Sequence, residues 1–227
     1  IKNISQKRRL KQKLINYLEK DYNLESFKPI GNFQKKNLMM AIKACEILGL
    51  SKKNISKCIN NLNSVKGRLE LVREFSDQTK VFVDFAHTPD AIRTAIMSLK
   101  RHYGKNITIV FGCGGERDKD KRGKIGKIVN SLCNKIYVTD DNPRGEKPEK
   151  IRSAILRYIK KEKVFEIPNR SFAIRTAINQ SNSNEIILVA GKGNEEFQDY
   201  GRRKIKISDF QIVKKIKINK NKSELKI

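Results

Sequence analysis

The sequence predicts an α/β protein built on a doubly wound, mainly parallel β-sheet. Short apolar runs rich in β-branched residues recur along the chain, and a helical pattern of apolar positions separates each run from the next. The runs are almost continuously apolar, as expected of strands that helices cover on both faces. With 38% hydrophobic and 33% charged residues, the 227 residues are also enough to bury a core.

Strands and helices alternate after Gly67. The predicted strands are 81–85, 107–111, 136–139, 164–167 and 186–190, and the predicted helices between them are 89–103, 121–134, 148–161 and 171–180. A short extra strand is predicted within residues 202–208. Ser208 is then expected to cap a last helix that ends near Ile216.

The chain before Gly67 predicts helices. Apolar residues recur at helical spacing over residues 34–48, and Gly49 follows where a helix would end. Further helices are predicted over 7–19 and over 53–62, the latter capped by Ser51. We therefore expect three parts, which are a helical part at 1–71, an α/β domain at 72–216 and a loose basic tail at 217–227.

The charge is strongly positive, with 50 Lys and Arg against 24 Asp and Glu and a formal net charge of +26 at pH 7. Lys predominates and is spread along amphipathic segments, whereas nucleic-acid readers typically cluster Arg and aromatic residues on one face. We expect a solvated basic surface and no specific nucleic-acid partner, although a basic nucleic-acid-binding module stays open as an alternative.

Other features exclude further classes of protein. No stretch approaches the ~20 apolar residues of a membrane-spanning helix, and the first residues contain no signal-peptide core. The four cysteines form no metal-like spacing with the two histidines, so reduced and mostly buried thiols are expected. The sequence begins with Ile1 rather than Met, which is compatible with a fragment or a processed product.

Unusual polar and glycine-rich sequences follow four of the predicted strands. They are DFAHTPD at 84–90, FGCGGERDKDKRG at 111–123, TDDNPRGEKP at 139–148 and AGKGNEEF at 190–197. Each alone has a structural explanation as a tight turn, a helix entry or a capping histidine. Because ligands bind at the carboxyl ends of strands in open α/β sheets, together they predict one site assembled from four loops.

In this order the sequences are similar to a known family. GRLELV (67–72), VDFAHTPDAI (83–92), VFGCGGERDKDKRGKIG (110–126), VTDDNPRGEKP (138–148) and LVAGKGNEEFQ (188–198) resemble the Mur ligases, in particular those that add meso-diaminopimelate to UDP-N-acetylmuramoyl-L-alanyl-D-glutamate. The resemblance runs from about residue 31 to 215. It covers the last helices of the family's central ATPase domain and the whole Rossmann-like carboxy-terminal domain.

The resemblance implies an ATP-dependent amide-bond ligase of peptidoglycan precursor synthesis, monomeric and cytoplasmic. Its substrates would be meso-diaminopimelate and the UDP-MurNAc-dipeptide, and its cofactors ATP and Mg²⁺. The chain contains no G-x-x-x-x-G-K-[ST] phosphate-binding loop, so it would supply only the amino-acid site and part of the nucleotide site. The Mg²⁺ ligands would lie mostly in the missing central domain, and we assign no metal ligand and no catalytic acid or base here. An inactive folded remnant of such a ligase stays open.

The family's binding residues carry over position by position. For meso-diaminopimelate they are Arg117, Asp141, Asn142, Pro143, Arg144, Gly191 and Glu195, and for ATP they are Asn37, Arg68, Asp84 and His87. The far end of diaminopimelate carries a carboxylate and an ammonium, which suit a bidentate Arg144 and an anionic Glu195. Two positions depart from the family pattern. Gln34 and Asn37 stand where N-x-x-N is common, and Asn194 stands where His is usual.

Overall fold

The computed structural model describes Tyr22, Leu24 and residues 27–217. The predicted helix at 7–19 and all but the first residue of the predicted tail lie outside the described residues. Two compact units, Ile1–Ser64 and Val65–Ile227, make up the chain.

The part of the first unit that the structure describes contains two helices, α1 (Asn32–Ile47) and α2 (Lys52–Asn60). Ser51 caps α2, since its hydroxyl accepts a hydrogen bond from the backbone N–H of Asn54 at 3.4 Å. The buried apolar residues are Tyr22, Leu38, Met39, Ile42, Ile55 and Ile59. Large apolar side chains also lie exposed, and they are Met40, Ile47, Leu48, Leu50 and Leu62.

We expect this small core to protect its backbone less than the sheet of the second unit does. Amides of residues 38–48 should exchange with solvent faster than those of residues 81–85, because Ile47 and Leu48 are 84% and 78% exposed whereas Val81 is 0% exposed. Native-state hydrogen exchange measures both segments in one sample. Equal protection of the two segments would show that the helical unit is as stable as the sheet.

The second unit is built on a six-stranded sheet of order β1-β2-β6-β3-β4-β5. Its strands are β1 (Glu70–Glu74), β2 (Lys80–Asp84), β3 (Ile107–Phe111), β4 (Lys135–Val138), β5 (Val164–Glu166) and β6 (Ile186–Ala190). All neighbouring pairs are parallel except β1 with β2 at the edge. Every residue of β3 and β6 is buried, as the apolar runs predict. The predicted α/β fold is confirmed.

Five helices in the described part of the second unit cover the sheet. They are α3 (Pro89–Tyr103), α4 (Asp120–Leu132), α5 (Pro148–Leu156), α6 (Arg170–Asn179) and α7 (Asp209–Lys215). The chain moves in one direction across the sheet from β2 to β5 and then returns to β6, so right-handed crossovers place α3, α4 and α5 on one face and α6 on the other. Helices α6 and α7 contribute to one buried core with Phe75, Val110 and Tyr137.

Three features differ from the sequence-based expectation. Glu70–Glu74 form an edge strand, so the boundary between the units lies between Ser64 and Val65 rather than after residue 71. The extra strand, β8 (Lys204–Lys206), pairs with β7 (Phe197–Asp199) in a separate antiparallel hairpin. Helix α5 ends at Leu156, before the predicted 161, and a short 3₁₀ turn at Lys161–Lys163 follows. No helix among the described residues is long and apolar enough to cross a membrane.

The cysteines are expected to differ sharply in reactivity. Burial raises the pKa of both Cys113 and Cys133 to about 12, so almost no thiolate forms at neutral pH, whereas Cys58 is exposed. A disulfide reagent at pH 7.5 should label Cys58 in the native protein and reach Cys113 and Cys133 only after denaturation. Mass spectrometry of wild type and Cys58→Ser checks this. Native labelling of Cys113 at the rate of Cys58 would contradict the buried position.

Candidate functional site

Four loops meet at the carboxyl ends of β2, β3, β4 and β6, where they enclose a cleft of about 460 Å³. It is lined by Phe85, His87, Thr88, Pro89, Gly114, Arg117, Asp118, Lys121, Asp141, Asn142, Arg144, Gly191 and Glu195. The lining combines cations and carboxylates in one space. Residues of all four loops that the sequence analysis grouped together therefore line this one cleft.

The loop after β4 fixes the position of Arg144. Its backbone takes a left-handed conformation with φ of 53°, which is uncommon for a non-glycine residue. The Arg144 N–H donates to the carbonyl of Asp199 at 2.9 Å. Its Nη1 donates to the carbonyls of Gly115 at 2.9 Å and Asn142 at 3.3 Å. Both side-chain bonds use Nη1 and hold one end of the guanidinium, and Arg144 lines the cleft.

The glycine-rich loop after β3 packs directly on the loop after β4. The Gly115 N–H donates to the carbonyl of Asn142 at 2.9 Å, and a Cβ on Gly115 would lie 1.9 Å from the carbonyl oxygen of Pro143. A side chain there would force the two loops apart. Pro143 is buried at this junction and lies outside the lining of the cleft.

Arg122 and Glu146, which the sequence analysis did not identify, tie the same two loops together. The guanidinium donates to both carboxylate oxygens of Glu146 at 2.9 and 3.0 Å, and the N–H of Glu116 donates to one of them at 2.6 Å. Arg122 Nη2 also donates to the carbonyl of Gly114 at 3.3 Å. These bonds lower the pKa of Glu146 to about 2, with the Arg122 hydrogen bond the largest cause.

This pair predicts a pH-dependent contribution to stability. The pKa of Glu146 is depressed in the folded state, so the contribution is complete above the ordinary value of 4.5 and is lost as the pH falls toward 2. Glu146→Gln should lower the free energy of unfolding by about 2 kcal/mol at pH 7 and by progressively less between pH 5 and 2. Urea unfolding at several pH values measures this, with the exposed Glu149→Gln as control. A difference independent of pH would contradict the pairing.

Acidic side chains form the other side of the cleft. Asp141 Oδ1 accepts the Asn142 N–H at 2.7 Å, while Oδ2 is buried and has no hydrogen-bond partner among the described residues. The Nη1 of fully buried Arg170 lies 3.9 Å from Oδ2, and the described residues offer it no hydrogen-bond partner either. Gly191 has a φ of 117°, and a Cβ there would lie 2.7 Å from Asp141 Oδ2, so only glycine allows this approach.

A buried lysine donates a hydrogen bond to Glu195 and fixes the position of its carboxylate. Lys192 is 0% exposed and donates to Glu195 Oε2 at 2.7 Å, and Asn142 Nδ2 donates to the same oxygen at 3.0 Å. Burial raises the pKa of Glu195, but these hydrogen bonds outweigh it and lower the pKa below its usual value. Glu195 therefore presents an ionised carboxylate to the cleft at neutral pH.

Of the residues predicted to bind the nucleotide, one lines this cleft and two others belong to the segments next to it. His87 lines it, and its Nδ1 donates to the carbonyl of Phe85 at 2.8 Å. The guanidinium of Arg68 lies over the Phe85 ring, 4.4 Å from its centroid. Asp84 accepts the N–H groups of Leu69 and Ala86 at 2.6 and 2.7 Å, while burial raises its pKa. Its carboxylate thus orders the loop after β2.

The family of the chain follows from this ordered set of loops and from a sequence comparison. The family model described as Mur ligase, glutamate ligase domain matches residues 67–193, which contain β1 to β6, the first three loops and the start of the fourth. The chain belongs to the Mur ligase family.

Relatives within the Mur ligases agree with the match. A UDP-N-acetylmuramoyl-L-alanyl-D-glutamate--2,6-diaminopimelate ligase of Rickettsia typhi is 39% identical over 196 residues, which are 86% of this chain and 39% of the relative. A solved structure of a ligase of the same name aligns with a TM-score of 0.63 at 33% identity, covering 82% of this chain and 38% of that one. The chain thus spans about two fifths of the length of these relatives.

A more distant structure shows the fold alone. It is a bifunctional folylpolyglutamate synthase/dihydrofolate synthase solved with Mn, AMPPNP and L-glutamate bound, with a TM-score of 0.56 at 20% identity. The alignment covers 72% of this chain and 37% of that one.

The site of this Mur ligase chain brings most of the predicted residues together. The cleft is lined by His87, Arg117, Asp141, Asn142, Arg144, Gly191 and Glu195. Pro143, Arg68 and Asp84 lie outside its lining, and exposed Asn37 belongs to the first unit. Within the described residues, no group of three or more His, Cys, Asp or Glu side chains is placed to hold a metal ion.

Proposed function

We propose that this chain supplies the amino-acid site and part of the nucleotide site of an ATP-dependent ligase. The ligase would join meso-diaminopimelate to UDP-N-acetylmuramoyl-L-alanyl-D-glutamate in peptidoglycan precursor synthesis. One observation supports the amino-acid site above all, namely that a single cleft presents Arg144 and Arg117 together with Glu195 and Asp141. Opposite charges so arranged suit a ligand end that carries both a carboxylate and an ammonium.

The residues of this chain would act by binding and orientation. Arg144 takes the far carboxylate of diaminopimelate, with Arg117 as a second set of donors, and Glu195 with Asp141 takes the far ammonium. With the far end of diaminopimelate bound in this way, its seven-carbon chain would direct the near amine out of the cleft. Amide formation gains most from such positioning, since the attacking amine must stand close to the activated carbonyl carbon.

The nucleotide would be bound only in part by this chain. Arg68, Asp84 and His87 are the residues that we propose for it, with Asn37 from the first unit. ATP with Mg²⁺ supplies the phosphoryl group that activates the D-glutamate carboxylate. We place the activity in the cytoplasm and expect a monomer.

Binding and turnover measured on the same chain test this proposal. Titration of ¹⁵N-labelled protein with meso-diaminopimelate should shift backbone amides of the loops at 112–119, 140–147 and 191–196, and L-lysine should do so only at much higher concentration. The chain alone should release no phosphate from ATP in the presence of the substrates, because it contains no phosphate-binding loop. A chain that binds neither amino acid would favour the inactive remnant, and phosphate release above a mock purification would contradict the division of the site.

A further inference from the structure

Lys192 is a fully buried cation near the cleft, and it is not among the residues that we propose to contact the ligands. Its side chain is 0% exposed, although it follows Gly191 and lies three residues before Glu195. An ammonium without water is costly to bury unless strong acceptors surround it. An apolar side chain of similar length would fill the same space without that cost. We therefore infer that the positive charge of Lys192 has a role other than packing.

Three acceptors account for the three N–H bonds of the ammonium. Lys192 Nζ lies 2.6 Å from the carbonyl oxygen of Phe197, 2.7 Å from Glu195 Oε2 and 3.1 Å from Asn142 Oδ1. Since all three donors are used, the ammonium cannot turn without losing a bond. It joins the loop after β6 to the loop after β4 at one fixed point.

The same contacts fix the orientation of the Asn142 amide. Its Oδ1 accepts from Lys192 and also from the N–H of Asp199 at 2.9 Å, so the oxygen must face these two donors. The amide nitrogen then faces the other way and donates to Glu195 Oε2 at 3.0 Å. Lys192 thus acts on Glu195 both directly and through Asn142.

The two carboxylate oxygens of Glu195 consequently differ in their hydrogen bonding. Oε2 receives hydrogen bonds from Lys192 and Asn142. In the described part of the chain no hydrogen bond to Oε1 occurs, and Glu195 lines the cleft. The side chain therefore presents Oε1 to a ligand, in an orientation that depends on the lysine behind it.

We propose that Lys192 is a positioning residue for substrate selection, which aims Glu195 Oε1 at the far ammonium of the amino-acid substrate. The inference rests on the proposed function and deepens it. Lys192 does not touch the substrate. It acts by holding the Glu195 carboxylate that does, both directly and through the Asn142 amide.

Pimelate provides the comparison ligand, because it has the seven-carbon chain and both carboxylates of meso-diaminopimelate but no ammonium. A well-placed ammonium–carboxylate hydrogen bond should make the wild-type chain bind diaminopimelate about 10- to 150-fold more tightly than pimelate. Lys192→Met should lower this ratio to about 3-fold or less while leaving pimelate binding within about 3-fold. Calorimetry or NMR titration of residues 1–227 measures both ligands, and far-UV circular dichroism checks the fold of each variant.

A double-mutant cycle with Glu195→Gln separates positioning from a purely structural role. Glu195→Gln alone should also reduce the ratio, and adding Lys192→Met should change it little further, because both act on one oxygen. The half-buried Lys121→Met is the matched control, since Lys121 lines the cleft and no hydrogen bond joins it to Glu195 in the part of the chain that the structure describes. Equal weakening of both ligands by Lys192→Met would overturn the inference. A wild-type ratio near 1 would also overturn it while leaving the proposed amino-acid site intact. Absence of diaminopimelate binding to the wild type would reject the proposed function itself.

A measurement on the wild type keeps the inference testable if Lys192→Met does not fold. The ammonium ¹H–¹⁵N signal of Lys192 should be visible because the group is buried and fully hydrogen-bonded. It should shift on saturation with meso-diaminopimelate and much less on saturation with pimelate. An unchanged signal at full diaminopimelate occupancy would show that Lys192 does not sense the ligand through Glu195.

Discussion

Arg144→Ala is expected to weaken binding of meso-diaminopimelate by about 30- to 1000-fold and to remove the preference over L-lysine. L-Lysine is diaminopimelate without the far carboxylate. In the wild type it would leave the Arg144 guanidinium without an anion, although two carbonyls already hold Nη1. Sites built around such a polar group reject the analogue that lacks its partner, by up to ~10⁴-fold in favourable cases. The half-buried position of Arg144 places this site toward the lower end of that range.

Two variants make the Arg144 result specific. Arg144→Lys keeps the charge but loses the planar fork, so it should recover only part of the affinity. Arg202→Ala removes one exposed positive charge from the neighbouring hairpin loop and should leave both ligands within about 2-fold. Calorimetric titration with each amino acid gives the ratios. Equal binding of lysine and diaminopimelate by the wild type would contradict the assignment of Arg144.

In a complete ligase, the same substitution should separate the two substrates. Arg144→Ala should lower kcat/KM for diaminopimelate by about 2–5 kcal/mol in activation free energy. The affinity for ATP should change little, because Arg68 and Asp84, two of the four residues that we propose for the nucleotide, lie outside the lining of the cleft, and of the other two only His87 lines it. Steady-state kinetics with each substrate varied in turn measures both effects.

Sequence patterns were sufficient for the sheet and for the loops that carry the site. Almost continuous apolar runs such as β3 and β6 are short and rich in β-branched residues, which favours buried parallel strands, and the loops are placed by the strands that precede them. The edge strand β1 was not predicted, since ELVRE is short and its two apolar residues are adjacent, so it lacks the alternation that distinguishes an edge strand from a linker.

The residues that support the site were harder to find. Lys192 stands in a glycine-rich loop among many lysines, and only the tertiary structure shows that its ammonium is enclosed by Asn142, Glu195 and Phe197. Arg122 and Arg170 lie in the first turns of helices and resemble surface charges in a chain of net charge +26. Their partners lie 24 and 39 residues away in sequence, so no local pattern could reveal them.

The largest expected loss of stability comes from Arg170. It is fully buried and donates to both oxygens of Asp209 at 2.8 and 2.7 Å, and to the carbonyl of Ala190 at 2.9 Å. This pair connects the first residue of α6 with the first residue of α7, beneath the loop that contains Gly191. Neither carboxylate nor guanidinium contacts water, since both side chains are 0% exposed.

Arg170→Met should therefore lower the free energy of unfolding by about 3–5 kcal/mol, because the Asp209 carboxylate would stay buried without its cation. The double variant Arg170→Met/Asp209→Leu should lose less than Arg170→Met alone, since no unpaired charge remains. Arg175→Met, at an exposed position of the same helix, should stay within about 0.5 kcal/mol of the wild type. Urea unfolding followed by circular dichroism measures all three. Additive losses in the double variant would show that the two side chains stabilise the fold independently, and that the ion pair beneath the site is not what holds α6 and α7 in place.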